Sequence, residues 1–223
     1  MILYHGSEAI IENPTYGKGK PNNDYGKGFY CTESIELAKE WACANNKNGF
    51  ANKYFFDTSD LNILYLNSDE YNILNWLAVL AKNRTYWQNK SLSEEAKKYI
   101  AENFYVNTEA YDVIIGYRAD DSYFSFAQDF VSGAISLKKL SEAMKLGKLG
   151  EQIVLKSEKA FSKISFQGYE NAPADIYYEK KSLRDLEARK AYRSSKQTES
   201  TINELYIIDI MREGIKNGDT RLQ

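Results

Sequence analysis

The chain has 223 residues, 43% of them hydrophobic and 27% charged, a balance that supports one sizeable globular domain with a buried core and excludes a disordered or fibrous chain. Its 29 Lys and Arg against 31 Asp and Glu leave a net charge of −2, which excludes a chain-wide electrostatic footprint for duplex DNA or an anionic membrane but not a local basic patch. One histidine and two cysteines, Cys31 and Cys43, exclude a disulfide framework and a zinc site built from several His or Cys ligands.

Met1–His5 reads as a short strand ending at Gly6-Ser7. Residues 8–26 concentrate Asn13-Pro14, Gly17, Gly19, Pro21 and Asn22-Asn23, a density of turn formers that predicts loop. Phe29–Thr32 predicts a strand. Thr32 or Ser34 can then cap a helix running to about Asn45, with Ile35, Ala38 and Ala42 on one stripe and Leu37 and Trp41 on another. Tyr54–Asp57 and Ile63–Leu66 are strand-like. Ser68–Asn83 and Ser91–Phe104 have helical spacing and form a helical insertion, about 68–104. Tyr111–Tyr117 returns to a buried strand, and helices are predicted at Ser122–Ser132 and Ser136–Leu146. Glu151–Lys156 predicts a strand, Ser157 caps a short helix over Glu158–Ser162, and Ile164–Phe166 is a further strand. From Ile176 the tail is helical and charged, ending in Leu205–Gly214. Strands and helices without regular βαβ alternation point to an α+β domain. The start of the chain lacks the basic region and apolar core of a secretion signal, and the run Trp76–Ala81 is far short of a membrane span. A cytoplasmic protein without a membrane partner is expected.

The chain's only histidine, His5, stands beside a glycine in Tyr4-His5-Gly6-Ser7, and some twenty residues later comes Tyr25-Gly26-Lys27-Gly28-Phe29-Tyr30. From such a pair a nicotinamide pocket can be built: glycines let backbone approach a flat ring, the histidine holds ribose hydroxyls, and the tyrosine offers a stacking face. Taken singly, each residue has an ordinary structural reading, His5 as a satisfied strand histidine and Trp41 as core. Arg118, Asp120 and Asp121 form a charge cluster that is usually a solvated turn, but after a buried strand it can line a cleft or contact a target. The glycines do not form G-x-G-x-x-G, and Lys27 lies in no G-x-x-x-x-G-K-[ST] frame, so neither nucleotide fingerprint is present.

These segments resemble the poly(ADP-ribose) polymerase-like branch of the ADP-ribosyltransferase superfamily, with its His-Gly-Ser and Gly-Lys-Gly-x-Tyr. The chain is more closely similar to the bacterial DUF3990 group, through Tyr-His-Gly-Ser, Gly-Lys-Gly-Phe-Tyr, the segment Gly116–Ser122 and Leu-Gly-Glu-Gln-Ile-Val-Leu-Lys-Ser at 149–157. The resemblance spans roughly residues 2–166. It implies a split antiparallel β-sheet core around an NAD cleft over residues 1–175, with a helical extension, 176–223, packed on it.

The resemblance further implies a His-Tyr-Glu triad. His5 would bind the adenosine-side ribose, Gly6 and Ser7 the nicotinamide amide, and Tyr30 would stack on the ring, with Gly28 in its motif and Trp41 as a second aromatic. Glu151 takes the catalytic acid role in the polymerase-like register, and a Glu151→Gln change is expected to abolish turnover. The arginine-modifying toxin branch instead places Gln152 there, a register that counts against transfer chemistry, and strand alternation allows only one of the two neighbours into the cleft. The function implied is NAD-dependent mono-ADP-ribosylation of a protein or nucleic acid, as a toxin or defence effector with a cognate antitoxin. NAD is the substrate, and no metal or other cofactor is needed. An NAD glycohydrolase and a non-catalytic NAD- or ADP-ribose-binding module are the rival expectations.

Overall fold

Leu3 is fully buried and His5 lies two residues further along the same face, so the first strand, β1 (Ile2–Ser7), carries the histidine at the end of a core-facing stripe. The computed structural model describes residues 1–84, 91–119, 121–146, 150–197 and 204–222. In it β1 pairs antiparallel with β3 (Gly49–Phe56), and β3 pairs antiparallel with β7 (Ile164–Ala172), forming a sheet of order β1-β3-β7. The second sheet has the order β2-β6-β5-β4, from β2 (Phe29–Cys31), β6 (Glu151–Leu155), β5 (Val113–Tyr117) and β4 (Ile63–Tyr65).

One pairing departs from the antiparallel core expected from the sequence: β4 lies parallel to β5. A parallel pair cannot be joined by a hairpin and needs a long crossover. That crossover is the helical insertion, α2 (Ile73–Asn83) and α3 (Ser91–Phe104). The second sheet is buried on both faces. Towards the first sheet it packs Phe29, Ile115 and Ile153 against Leu3, Tyr54 and Phe56. On its other face Leu64, Ile114 and Val154 meet a helical layer that includes Trp76, Leu77, Phe126 and Phe130. Burial on both sides is why β5 reads as the continuous run Val-Ile-Ile-Gly rather than as an alternation.

The helices follow local signals. In α1 (Ile35–Ala42) the Ser34 hydroxyl accepts from the Leu37 amide, the cap anticipated from the sequence, although the helix stops at Ala42 rather than near Asn45. α2 starts at Ile73 instead of Ser68, because Asn72 caps it and Asn75 accepts from the Asn72 amide in return. The glycine of His-Gly-Ser is needed for packing: a Cβ on Gly6 would lie 1.9 Å from the Ala38 carbonyl oxygen of α1. β3 and β7 are longer than the sequence suggested, since cross-strand bonds carry the polar stretches 49–53 and 167–172.

After β5 come α4 (Asp121–Val131), α5 (Leu137–Ala143), then β6, α6 (Glu158–Ser162) and β7. The tail forms α7 (Ala174–Gln197) and α8 (Ile207–Arg212). α7 lies against α1, where Lys180 pairs with Glu36 at 2.8 Å and Arg184 pairs with the buried Glu40. Further along, Tyr192 donates to Asp129 of α4 at 2.7 Å. Among the described residues, no helix is long and apolar enough to cross a membrane.

Candidate functional site

Besides their apolar packing, the two sheets are joined by a bridge pair, Tyr4 and Thr32, whose amides donate to each other's carbonyls at 2.8 and 2.9 Å. A cleft of about 750 Å³ opens beside this seam, a volume suited to a small organic ligand. His5, Gly6, Gly28, Tyr30, Trp41, Arg118 and Gln152 all line it, so segments far apart in the chain share one cavity.

His5 spans the seam. Its Nδ1 lies 2.7 Å from the Tyr30 carbonyl oxygen, and its ring stacks on Phe29 with centroids 4.4 Å apart. A carbonyl only accepts, so Nδ1 carries the hydrogen and Nε2 of the neutral ring is left as an acceptor. Burial pushes the imidazole pKa down, and the bond to Tyr30 only partly offsets this. The unfolded chain therefore binds a proton between about pH 6.5 and the lower folded value, and His5 costs stability as pH falls through that window. With one proton involved, the slope is at most about 1.4 kcal/mol per pH unit. His5→Gln is expected to flatten the stability curve between pH 7 and 5 in urea titrations; parallel curves for the two proteins would contradict a desolvated, neutral histidine.

The Tyr30 hydroxyl does not point at a ligand. It donates to the Gly26 carbonyl at 2.6 Å and accepts from the Tyr25 amide at 3.1 Å, and burial pushes the phenol pKa up. Gly26 has φ of +73°, which a side chain would strain, and this turn brings its carbonyl to Tyr30. Lys156 secures the same loop, its Nζ donating to the carbonyls of Tyr25 at 2.6 Å and Lys27 at 2.5 Å. The ring of Tyr30 is thus the part available to a ligand. Gly28 is packed tightly as well, since a Cβ there would lie 2.6 Å from Val154 Cγ1.

The acid expected on β6 is placed differently. Tyr30 pairs with Val154, and Gln152 lies two residues away on the same face, so Gln152 enters the cleft. Glu151 falls on the opposite face, exposed at the strand's start, where its Oε1 accepts from Asn67 Nδ2 at 2.9 Å. Alternation leaves room for one neighbour only, and the buried one is the uncharged amide. Gln152 is 5% exposed. Its Nε2 donates to Asp24 Oδ2 at 3.2 Å, while its Oε1 is buried without a hydrogen-bond partner.

Asp24 is the carboxylate among the described residues that line the cleft, and sequence reasoning missed it. It is 3% exposed and accepts from Arg84 Nε at 2.8 Å, the Ala119 amide at 2.9 Å and Gln152. Burial raises its pKa, with the Arg84 charge as the leading opposing pull. Arg84 closes the network by donating to the Ala119 carbonyl at 3.0 Å. A second missed residue is the fully buried Asn52. Its Nδ2 serves the His5 and Ala9 carbonyls at 3.2 Å, and its Oδ1 accepts from the Ile11 amide at 2.9 Å, tying the loop after β1 to β3.

The remaining candidates divide. Trp41 carries the Arg118 guanidinium 4.3 Å from its ring centroid, and its Nε1 is buried without a hydrogen-bond partner. Ser7 does not line the cleft; its hydroxyl donates to the Ala9 carbonyl and accepts from Asn52 Nδ2 at 3.1 Å. Asp120 lies outside the described residues, and Asp121 opens α4. The described residues contain no group of three or more His, Cys, Asp or Glu side chains able to hold a metal ion.

Residues 1–166 match the family model described as "Protein of unknown function (DUF3990)". No curated protein and no solved structure matches the chain.

Proposed function

The chain belongs to the DUF3990 family, and from the geometry of the cleft and the motifs that line it we propose that it is an NAD-consuming mono-ADP-ribosyltransferase that modifies a macromolecular acceptor. One observation carries this reading: the partnerless Gln152 Oε1 lies in the same cleft as His5 and the Tyr30 ring. His5 Nε2 accepts from a ribose hydroxyl, and Tyr30 supplies a face for the nicotinamide. Gln152 Oε1 accepts from the hydroxyl of the ribose being cut.

Cleavage of the nicotinamide–ribose bond sends its electron pair to the ring nitrogen and leaves positive charge on the sugar carbon. The acceptor's lone pair then bonds to that carbon, and its proton passes to solvent. An aligned carbonyl dipole with the Asp24 carboxylate behind it stabilises the developing charge, as preorganised groups do in glycosyl transfer. Asp24 acts through Gln152 and is a positioning residue. A toxin or defence role with a neutralising partner belongs to this same proposal.

One observation favours a second reading: the β6 side chain that enters the cleft, Gln152, is an amide and not an acid, which suits a non-catalytic NAD- or ADP-ribose-binding module. A single assay separates the two. The protein is incubated with NAD labelled in its adenylate phosphate and with cell lysate, and nicotinamide and polymer-bound label are both measured. Label retained on a protein or nucleic acid supports transfer, and nicotinamide release without labelled polymer supports a glycohydrolase. Binding with neither product supports the module.

A further inference from the structure

The described residues lining the cleft include five basic side chains, Lys18, Lys20, Arg84, Arg118 and Lys181, against the single carboxylate of Asp24. The whole chain has a net charge of −2, so this concentration is local. Arg84 is paired with Asp24 at 2.7 Å, and Arg118 stacks on Trp41. Lys18, Lys20 and Lys181 make no ion pair among the described residues, and they come from two separate elements. Lys18 and Lys20 sit on the loop between β1 and β2, held to the cleft by Gly19, where a Cβ would lie 2.5 Å from the Gly28 carbonyl oxygen. Lys181 comes from α7, beyond the matched residues 1–166, and is brought to the cleft by the Lys180–Glu36 and Arg184–Glu40 pairs on either side of it.

A dinucleotide brings two phosphates, and its pyridinium ring returns one positive charge. Its single net negative charge offsets only part of what Lys18, Lys20 and Lys181 bring to the cleft. We infer that Lys18, Lys20 and Lys181 form a phosphate-binding rim and that the polymer presented to the cleft is a single-stranded nucleic acid, the rim's role as an acceptor site resting on the transferase reading above. A positively charged rim tracks the phosphate backbone of a single strand. A cleft of about 750 Å³ accepts nucleotide-sized pieces but not a duplex.

The test is fluorescence anisotropy with end-labelled twelve-nucleotide RNA and DNA strands and with the matching duplex, over a salt series. Wild type is compared with Lys181→Glu, Lys181→Arg and the double change Lys18→Glu/Lys20→Glu, and NAD and NADP affinities are measured on the same samples by calorimetry. The expected result is strand binding tighter than duplex binding, weakened at least about five-fold by each charge reversal and kept by Lys181→Arg. The slope of log affinity against log salt should shrink by roughly 0.7 for each phosphate that a variant no longer neutralises. Absence of strand binding at low salt, or charge reversals that change neither affinity nor slope, would overturn the rim. NADP bound in preference to NAD with no strand binding would assign the lysines to a phosphorylated dinucleotide and overturn it too. Strand binding with no affinity for NAD would leave the rim standing and remove the transferase reading.

Discussion

Asp24→Ala is expected to destabilise the protein by about 3 kcal/mol and to release Gln152 from its fixed position. The carboxylate is almost fully buried and takes hydrogen bonds from Arg84, the Ala119 amide and Gln152. Deleting it removes the carboxylate partner of a guanidinium, an amide N–H and a side-chain amide at once. Breaking a buried ion pair costs about 3–5 kcal/mol, and the lower end applies because the Arg84 side chain still has 27% of its surface in water. For a chain of this length, about 3 kcal/mol corresponds to a fall in Tm of about 6–12 °C. Thermal unfolding followed by circular dichroism measures it. Asp24→Asn, which keeps an acceptor oxygen and loses the charge, should fall between wild type and alanine. An unchanged Tm in Asp24→Ala would mean that the Asp24 network does not hold the cleft together.

Gln152→Ala is expected to lower the rate of nicotinamide release by about 10²-fold, the scale on which removal of one preorganised polar group acts. Glu151→Gln should change it by less than about three-fold, because that side chain lies on the opposite face of β6 and bonds to Asn67. This reverses the expectation drawn from the sequence motif alone. Single-turnover assays with saturating NAD give both rates, and calorimetric NAD affinities show whether the loss lies in chemistry or in binding. A large loss in Glu151→Gln with full activity in Gln152→Ala would require a cleft on the other side of the strand.

The contrast between the two neighbours shows how much of the site was legible in the sequence. His5, Gly6, Gly28 and Tyr30 could be singled out as residues of one cleft because their motif is local: each is adjacent to a glycine or aromatic that has to be there for packing. The α+β class was legible for the same reason, through short apolar runs and capped helices such as that behind Ser34. The choice between Glu151 and Gln152 was not, because which face of β6 meets the cleft depends on its pairing with β2. Asp24 was hidden in a run of turn formers, and its burial comes from partners 60, 95 and 128 residues away. Asn52 was passed over because Gly49–Lys53 has no strand composition; pairing with β1 and β7 makes it the centre of a sheet. The parallel β4–β5 pair was equally invisible, although the spacing of apolar residues in the two helices that make it possible was plain.

The most direct measurement of the central claim is a crystal structure of the protein with carba-NAD, an analogue in which a methylene in place of the ribose ring oxygen prevents oxocarbenium formation. The expected density places the nicotinamide against the Tyr30 ring, with a hydroxyl of the adjoining carbocycle within hydrogen-bond distance of Gln152 Oε1 and a hydroxyl of the adenosine ribose on His5 Nε2. A cleft left empty at saturating analogue, or the analogue bound away from both His5 and Gln152, would contradict it.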